Sequence, residues 1–489
     1  METQQQTVDV DTLYVDLDGT LIFSDVLVES LLELIKSNPL MLLLLPFWLL
    51  KGKANLKYQI ARRVSLRVDL LPYNHALLSY LREQKQQGKR LVLMSAANQL
   101  LVTEVAGHLG FFDEAVGSTP HENFSGRLKL NRMQTMDPGS TFAYAGNAAV
   151  DLHVWQGSAG AILVNTGDYL SRRAAAVTAV VEKFDSSFAS LHGRLKAMLT
   201  VMRPHQWLKN LLLLVPLLLS HQLGNTGLLL QALLAMASFS LCASGVYVLN
   251  DLLDLSADRQ HHRKCRRPFA AGTLSPQTGL VLGPLLLLLA FALALPLPIK
   301  FLAILALYYF GTCLYSFVLK QIVLVDVITL ATLYTLRIIA GAAAVSVLPS
   351  FWLLAFSMFL FMSLAFVKRY TELSYLREQG LTQTAGRGYQ ARDLDMMAIL
   401  GCSSGFMAVM VFALYINSDA TLLQYRAPEI LWFICPLLLY LISRIWLLAW
   451  RSEIDDDPVV FALQDGVSQA VAFVAIVLLW MANLDWQMV

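Results

Sequence analysis

Asn250, Asp251, Asp254 and Asp258 stand where a long apolar run gives way to polar sequence. Asp251 is followed by acids three and seven residues on, and Asn250, Asp254 and Asp258 are spaced by four. On an α-helix these offsets share one face. Carboxylates gathered on one face repel one another unless a cation sits among them. Mg2+ is the natural one, because it takes a few carboxylates and completes its shell with phosphate oxygens and water. Lys264 and Arg267 follow within ten residues of Asp258 and suit the remaining charge of a diphosphate. A merely solvated helix end explains the repeated spacing poorly. The set predicts a Mg2+–diphosphate site at a membrane surface.

A second acidic pair, Asp16 and Asp18, closes the apolar run Leu13, Tyr14, Val15 and is followed by Gly19 and Thr20. Two acids alone say little, but at the end of a strand and before a glycine turn they mark a site on an α/β scaffold.

These residues need two kinds of scaffold. The chain has 489 residues, 56% hydrophobic and 15% charged, with mean hydropathy +0.55, which is too apolar for a soluble protein. Residues 1–200 carry ordinary polar segments, whereas long apolar runs dominate from about 205 onward. Candidate spans are 208–222, 227–249, 278–298, 301–319, 326–347, 350–367, 396–416, 429–448 and 469–485, about nine in all. Pro216, Pro284, Pro296 and Pro436 lie in or beside spans and predict kinks. One set of loops holds Arg259, Arg263, Lys264, Arg266, Arg267, Lys320, Lys368, Arg369, Arg377, Arg387, Arg392 and Arg451, the other only Lys300 and Arg426. The positive-inside rule puts the basic loops, the acidic set and the polar N-terminal region in the cytoplasm. The opening METQQQTVDVD is polar and acidic and does not read as a cleavable signal. The five cysteines show no metal-knuckle or disulfide spacing. A net charge of +2 gives no reason to expect a nucleic-acid partner.

Further candidates gather on the basic side. Tyr315 and Lys320 precede Asp326, and Lys368 and Arg369 end a span. Arg337 lies inside an apolar run, where a charge marks either a binding site or a structural partner of Asp326 or a backbone carbonyl. Lys368 and Arg369 also admit the plainer reading of topology signals.

The stretch from Asn250 to Asp258, with Arg259, His261, Lys264 and Arg267-Pro268, resembles the first signature of UbiA-type intramembrane prenyltransferases. Within that family the chain is most similar to the decaprenyl-phosphate phosphoribosyltransferase branch. The likeness covers 203–489 and rests on Arg203 to Asn210, Tyr315 to Lys320, Leu336 to Gly341, Lys368 to Glu372 and Asp457 to Asp465. His262 departs from it, since the branch usually has Pro there. The resemblance implies nine helices around a Mg2+-dependent cavity. It further implies attack by a polyprenyl phosphate oxygen on C1 of phosphoribosyl diphosphate (PRPP), with release of pyrophosphate. Asn250, Asp251, Asp254 and Asp258 would hold the metal. Lys209, Lys264, Arg267, Tyr315, Lys320, Asp326, Arg337, Lys368 and Arg369 would bind substrate. Aromatic prenyltransferases of the family usually carry a second cluster of paired acids, whereas Asp326 stands alone, with Leu330 four residues on.

The N-terminal region resembles haloacid-dehalogenase (HAD) superfamily phosphatases. Asp16 matches the nucleophile of that family, Asp18 its general acid/base, Ser95 its phosphate-binding hydroxyl and Lys129 its steadying lysine. Asp151 matches an acid of its Mg2+ site, alongside Asp16. Gly146-Asn147 departs from the usual Gly-Asp and leaves one carboxylate fewer, so an active phosphatase and a degenerate regulatory domain are both open. The implied organisation is a doubly wound α/β domain over 1–167 with a helical cap at about 24–85, a linker helix over 168–202 and an all-α membrane domain over 203–489. Within the cap, 39–50 is an apolar run too short for a confident span. It suits a segment dipping into the cytoplasmic leaflet with Lys51, Lys53 and Lys57 at the headgroups, or else an ordinary buried cap helix.

Three functions follow from these patterns. The first is phosphoribosyl transfer to a polyprenyl phosphate at an inner membrane, with the phosphatase-like domain removing the 5-phosphate. The second is prenyl transfer from a polyprenyl diphosphate. The third is a non-catalytic membrane role. Oligomeric state and lipid length are not written in the sequence.

Overall fold

The computed structural model describes residues 10–186, 190–220, 222–380, 387–419, 421, 425–454 and 457–483. Six strands, β1 (Thr12–Val15), β2 (Arg90–Asn98), β3 (Glu114–Ser118), β4 (Phe142–Gly146), β5 (Gly160–Val164) and β6 (Ala179–Phe184), form one sheet in the order β3-β2-β1-β4-β5-β6. Every pairing is parallel. Alternate residues enter different cores. Leu13, Val15, Leu93, Ala143 and Ile162 join one apolar cluster, while Tyr14, Val92, Met94, Phe142 and Tyr144 join another. That period of two, with both faces covered, is what a doubly wound sheet requires. The strand order reverses between β1 and β4, which opens a crevice beyond their carboxyl ends. Asp16 is the first residue after β1 and Asn147 the first after β4.

Between β1 and β2 lie the helices Val26–Ser37, Leu45–Leu50, Lys53–Ala61 and His75–Gln86, as the pattern of 24–85 predicts. Asp25 starts the first of them by accepting the Val28 N–H at 3.0 Å. The apolar stretch Pro39–Leu50 is not an ordinary buried cap helix. Trp48 is buried against Leu34 and Ile60, but Leu40, Leu43, Phe47 and Leu50 are exposed.

Residues 168–202 do not form the expected linker helix. Asp168–Ala175 is helical, β6 then completes the sheet, and only Leu191–Met202 is helical again. The cause is the run Val180, Val181, whose β-branched side chains suit the edge of a sheet.

The chain divides into two compact units. One is Met1–Met202 with Tyr247–Pro284, the other Arg203–Val246 with Leu285–Val489. The acidic stretch therefore belongs to the same unit as the sheet, not to the unit holding most of the apolar helices.

Among the described residues, seven helices are long and apolar enough to cross a bilayer: Thr226–Leu253, Pro276–Ala294, Ile299–Phe317, Val325–Ala344, Phe351–Glu378, Ala391–Ile416 and Pro428–Trp450. Of the nine expected spans, the last corresponds to Pro458–Gln464 and Gly466–Met481, bent by 72° and making an eighth if taken as one. The bend lies at Asp465, which accepts the Ser468 N–H at 2.8 Å and binds Arg444 at 2.7 Å. The first expected span, 208–222, is instead a 3-10 helix, Pro204–Leu214, followed by the short α-helix Val215–Leu219. Its Lys209 and Asn210 are buried and polar-bonded inward, which a lipid-facing rod would not permit.

Candidate active sites

The crevice of the sheet collects a connected polar chain. Lys129, on helix Arg127–Met136, donates from Nζ to Asp16 Oδ1 at 3.0 Å and to the Tyr144 hydroxyl at 2.8 Å. Tyr144 donates in turn to Asp151 Oδ1 at 3.0 Å. Asp151 Oδ2 accepts the N–H groups of Asn147 and Ala148 at 3.0 and 2.9 Å. Of the cations nearby in sequence, Lys129 is the one placed on Asp16. Gly19 takes φ +72°, and a Cβ there would lie 2.1 Å from Asn147 Nδ2, so Asn147 lies directly against the Asp16–Gly19 turn. Ser95 is buried in β2, beside β1, with its Oγ accepting the Ala97 N–H at 3.0 Å.

Asp18 caps the cap: its Oδ1 accepts the Val26 N–H at 2.8 Å. Burial, then the neighbouring Asp25 charge, lifts the Asp18 carboxyl well above the usual carboxylate range. A carboxyl shifted in this direction takes up a proton more readily, which suits a donor to a leaving group. Lys57 corrects an expectation. Its amine does not reach for headgroups but turns inward, donating to the Ala96 carbonyl at 2.5 Å and to Asn123 Oδ1 at 2.7 Å. Burial lowers its pKa, while the Asp18 and Asp25 charges oppose that shift, so its amine faces the acids of the site. Lys57, Tyr144 and Asn147 are absent from the sequence-derived set. The spacing Gly146-x-x-x-x-Asp151 was the one available signal, and it pointed to Asp151 alone.

The acidic stretch bends. Helix Thr226–Leu253 ends before Asp254, and Leu255–Gln260 resumes after it. Asp251 and Asp258 nevertheless converge. Both are buried, and both bind one nitrogen, Arg267 Nη1, at 3.1 and 2.7 Å. Burial lifts the Asp258 carboxyl, while Arg267 pulls it down and Asp251 lifts it further. Asn250 and Asp254 are half-buried, and Lys264 is exposed, with its charge acting on Asp258.

The other unit holds two ion-pair networks. Asp326 is fully buried and accepts from the Tyr315 hydroxyl at 2.7 Å on Oδ1 and pairs with Arg369 Nε at 2.6 Å on Oδ2. Arg369 also binds Glu372, and Arg387 reaches Glu372 at 3.3 Å. Lys209 pairs with Asp457, with Lys368 Nζ 4.0 Å from the same carboxylate. Lys320 is half-buried on the short turn Leu319–Gln321. Arg337 does not pair with Asp326. It donates to Asn210 Oδ1 at 3.1 Å, the Leu333 carbonyl at 2.7 Å and the Tyr308 hydroxyl at 3.0 Å. The Phe239, Tyr308 and Tyr334 rings lie around its guanidinium. These bonds tie the helix of Arg337 to the segments that carry Asn210 and Tyr308. Asp457, Glu372 and Arg387 are further site candidates that spacing alone did not select.

Among the described residues, no three Asp, Glu, His or Cys groups converge on one point. Two pairs nonetheless fit Mg2+. Asp251 and Asp258 meet at a cationic nitrogen, a position where a cation is already accommodated. Asp16 and Asp151, with the Asn147 amide, supply hard oxygen donors, which Mg2+ prefers.

Burial, then the Asp16 charge, pushes Asp151 up to about 6. A carboxyl raised in the fold contributes stability below its ordinary range and loses that contribution as pH rises through about 6. A cation held by Asp151 reverses the penalty. The gain in protection that Mg2+ gives β4 should therefore grow from about pH 5 to about pH 7, read by hydrogen exchange of 142–146 in the full chain. A pH-independent gain would remove Asp151 from the metal site.

The family model described as "UbiA prenyltransferase family" matches residues 211–477. The chain is 36% identical over 459 residues to the uncharacterized protein y4nM of Sinorhizobium fredii, covering 93% of this chain and 88% of that protein. It is 38% identical over 269 residues to the nodulation protein NoeC of Azorhizobium caulinodans, covering 54% of this chain and 86% of that one. It is 26% identical over 281 residues to the decaprenyl-phosphate phosphoribosyltransferase of Mycolicibacterium smegmatis, covering 56% and 87%.

Proposed function

The chain belongs to the UbiA prenyltransferase family and is an integral membrane protein, and from that premise we propose that it transfers 5-phosphoribose from PRPP to a polyprenyl phosphate. The observation that carries this reading is the state of Asp326. Both its oxygens are engaged, by Tyr315 and by Arg369, which also binds Glu372, so Asp326 sits in an ion-pair network and lacks a paired Asp four residues on, where Leu330 stands. Among the described residues the paired Asp groups of the transferase stretch are Asp251 and Asp258, which parts the chain from the second paired cluster usual in aromatic prenyltransferases of the family. The likeness to a decaprenyl-phosphate phosphoribosyltransferase supports the same choice.

In this reading Asp251 and Asp258, with Asn250 and Asp254 beside them, hold Mg2+, which supplies charge neutralisation for the departing diphosphate. Arg267 and Lys264 grip the diphosphate oxygens. Lys209, Lys320 and Lys368 supply positive charge for the lipid phosphate and the 5-phosphate, and Tyr315 with Arg369 keeps the Asp326 network in register. A phosphate oxygen of the lipid forms the bond to C1 as the C1–O bond to pyrophosphate breaks, and the electron pair leaves with pyrophosphate. Positioning and charge do the work, since the ribosyl carbon passes through an oxocarbenium-like state.

The sheet-bearing unit then acts on the 5-phosphate. Asp16 attacks phosphorus, Asp18 protonates the departing ribose oxygen, and water, losing a proton to Asp18, cleaves the aspartyl phosphate. Lys129 and Lys57 steady the phosphoryl charge. The exposed Leu40, Leu43, Phe47 and Leu50, followed by Lys51 and Lys53, support a lipid-facing role for the cap. We place this unit on the cytoplasmic side of a bacterial inner membrane.

The test is to incubate membranes containing the protein with ribose-labelled PRPP and a polyprenyl phosphate, with and without Mg2+. Label should enter the lipid extract only with Mg2+. If the label stays aqueous, and a labelled polyprenyl diphosphate instead prenylates an acceptor, the chain is a prenyl transferase.

A further inference from the structure

We propose that Glu29, a residue of the cap, positions the acidic stretch that holds Mg2+ and so belongs to the transferase machinery. Glu29 lies one turn into helix Val26–Ser37, far in sequence from any membrane helix. Its carboxylate grips Arg259 with both oxygens, Oε2 at 2.8 Å from Nη1 and Oε1 at 2.6 Å from Nη2. The side chains are 5% and 7% exposed. Ser24 Oγ donates to the same carboxylate. Arg259 follows Asp258 directly, and its Nε donates to the Ala270 carbonyl at 3.2 Å. One guanidinium thus ties the outgoing limb of the acidic stretch to its returning limb and to the cap.

Two further contacts fix the same register. Gln277 Nε2 donates to Asp25 Oδ2 at 2.7 Å. Gly272, at φ +72°, lies so close to Phe23 and Pro72 that a Cβ there would stand 2.7 and 3.0 Å from their Cβ atoms. A buried bidentate pair is poor evidence for stability, because removing both charges from water offsets their attraction. Its value lies in geometry: a fork on a fork has one arrangement. The pair also keeps a positive charge away from the metal ligands. Released from Glu29, Arg259 would be a second guanidinium, beside Arg267, able to neutralise Asp258 and compete with Mg2+ there.

The test uses the full chain in lipid nanodiscs. Glu29→Gln keeps the shape and one accepting oxygen but loses the charge and sets an amide NH2 donor against the other Arg259 N–H. It should raise the Mg2+ concentration for half-maximal transfer about tenfold, the lower end of the effect of losing a group that orients metal ligands, with kcat at saturating Mg2+ changed less than about twofold. Hydrogen exchange of 254–272 should quicken. Glu29→Arg combined with Arg259→Glu should restore part of the Mg2+ affinity, because the pair re-forms with its charges exchanged. If Glu29→Gln fails to fold, Arg259→Lys, which keeps the charge and loses the fork, carries the same expectation. This inference rests on Asp251 and Asp258 as metal ligands, not on PRPP as donor. Mn2+ titration read by electron paramagnetic resonance, with Asp251→Asn marking the site, therefore tests it even where no phosphoribosyl transfer occurs. Unchanged Mn2+ affinity and exchange in Glu29→Gln would overturn it.

Discussion

On the proposed function, Asp16→Asn should lower phosphate release from the phosphoribosyl lipid by at least about 10^4-fold, the order by which loss of an enzymatic nucleophile lowers turnover. The substitution keeps an oxygen to accept from Lys129 Nζ and from the Leu17 N–H, both 3.0 Å from Asp16 Oδ1. Lys129 therefore does not become a buried cation without a partner, and the sheet should keep its stability. What is lost is the negative oxygen that bonds to phosphorus, for which the neutral amide is no substitute. Transfer from PRPP should continue, so the variant should accumulate lipid that still carries its 5-phosphate. The measurement is mass analysis of the lipid extract alongside phosphate release. A dephosphorylated product formed at the normal rate would show that the domain is degenerate and that Asn147, standing where an acid is usual, marks a lost metal site. Asp18→Asn gives a milder contrast, since a protonated carboxyl is replaced by a group of similar shape and only the transferable proton goes.

Much of this site was legible in the sequence because its members stand at the ends of buried strands. Asp16 directly follows β1 and Asp151 lies beyond the end of β4, and such positions are where a doubly wound sheet exposes functional groups. Lys57 was misread because its neighbours Lys51 and Lys53 follow an apolar run, and only tertiary packing decides that one of the three turns inward. Tyr144 looked like an ordinary strand residue, and its hydroxyl matters only because Lys129 and Asp151 both reach it. The Glu29–Arg259 pair spans 230 residues, a separation at which no periodicity or spacing rule operates. The single helix expected at 168–202 missed β6 because Val180 and Val181 follow an alanine-rich run that favours helix, and the strand signal counts only once β5 is beside them. In the membrane half the apolar runs were long enough to be read directly. The exceptions, 208–222 and the bent final pair, are the segments whose polar residues bond inward or cap a break.

Asp251→Asn should reduce transfer about 10^2- to 10^3-fold, the effect of removing one preorganised charge from a site that neutralises a leaving group. Asp251 and Asp258 share one nitrogen of Arg267, so two carboxylates gather at one guanidinium. A pair of carboxylates at one point is what draws a divalent cation into a buried place. After the substitution, Asp258 and Arg267 balance one another, and a dication gains little by entering. The loss should therefore appear first as weak Mg2+ binding and only partly recover at high Mg2+, because the amide oxygen is a poorer ligand than a carboxylate. The fold should tolerate the change, since Arg267 keeps Asp258 and is itself partly exposed, at 29% of its side chain. Arg267→Gln works in the opposite direction: it leaves both carboxylates for the metal, so Mg2+ binds without a competing guanidinium while diphosphate affinity falls. Activity, Mg2+ dependence and pyrophosphate inhibition measured on the two variants separate the roles. Equal Mg2+ dependence in wild type and Asp251→Asn would move the metal site elsewhere, whatever the donor proves to be.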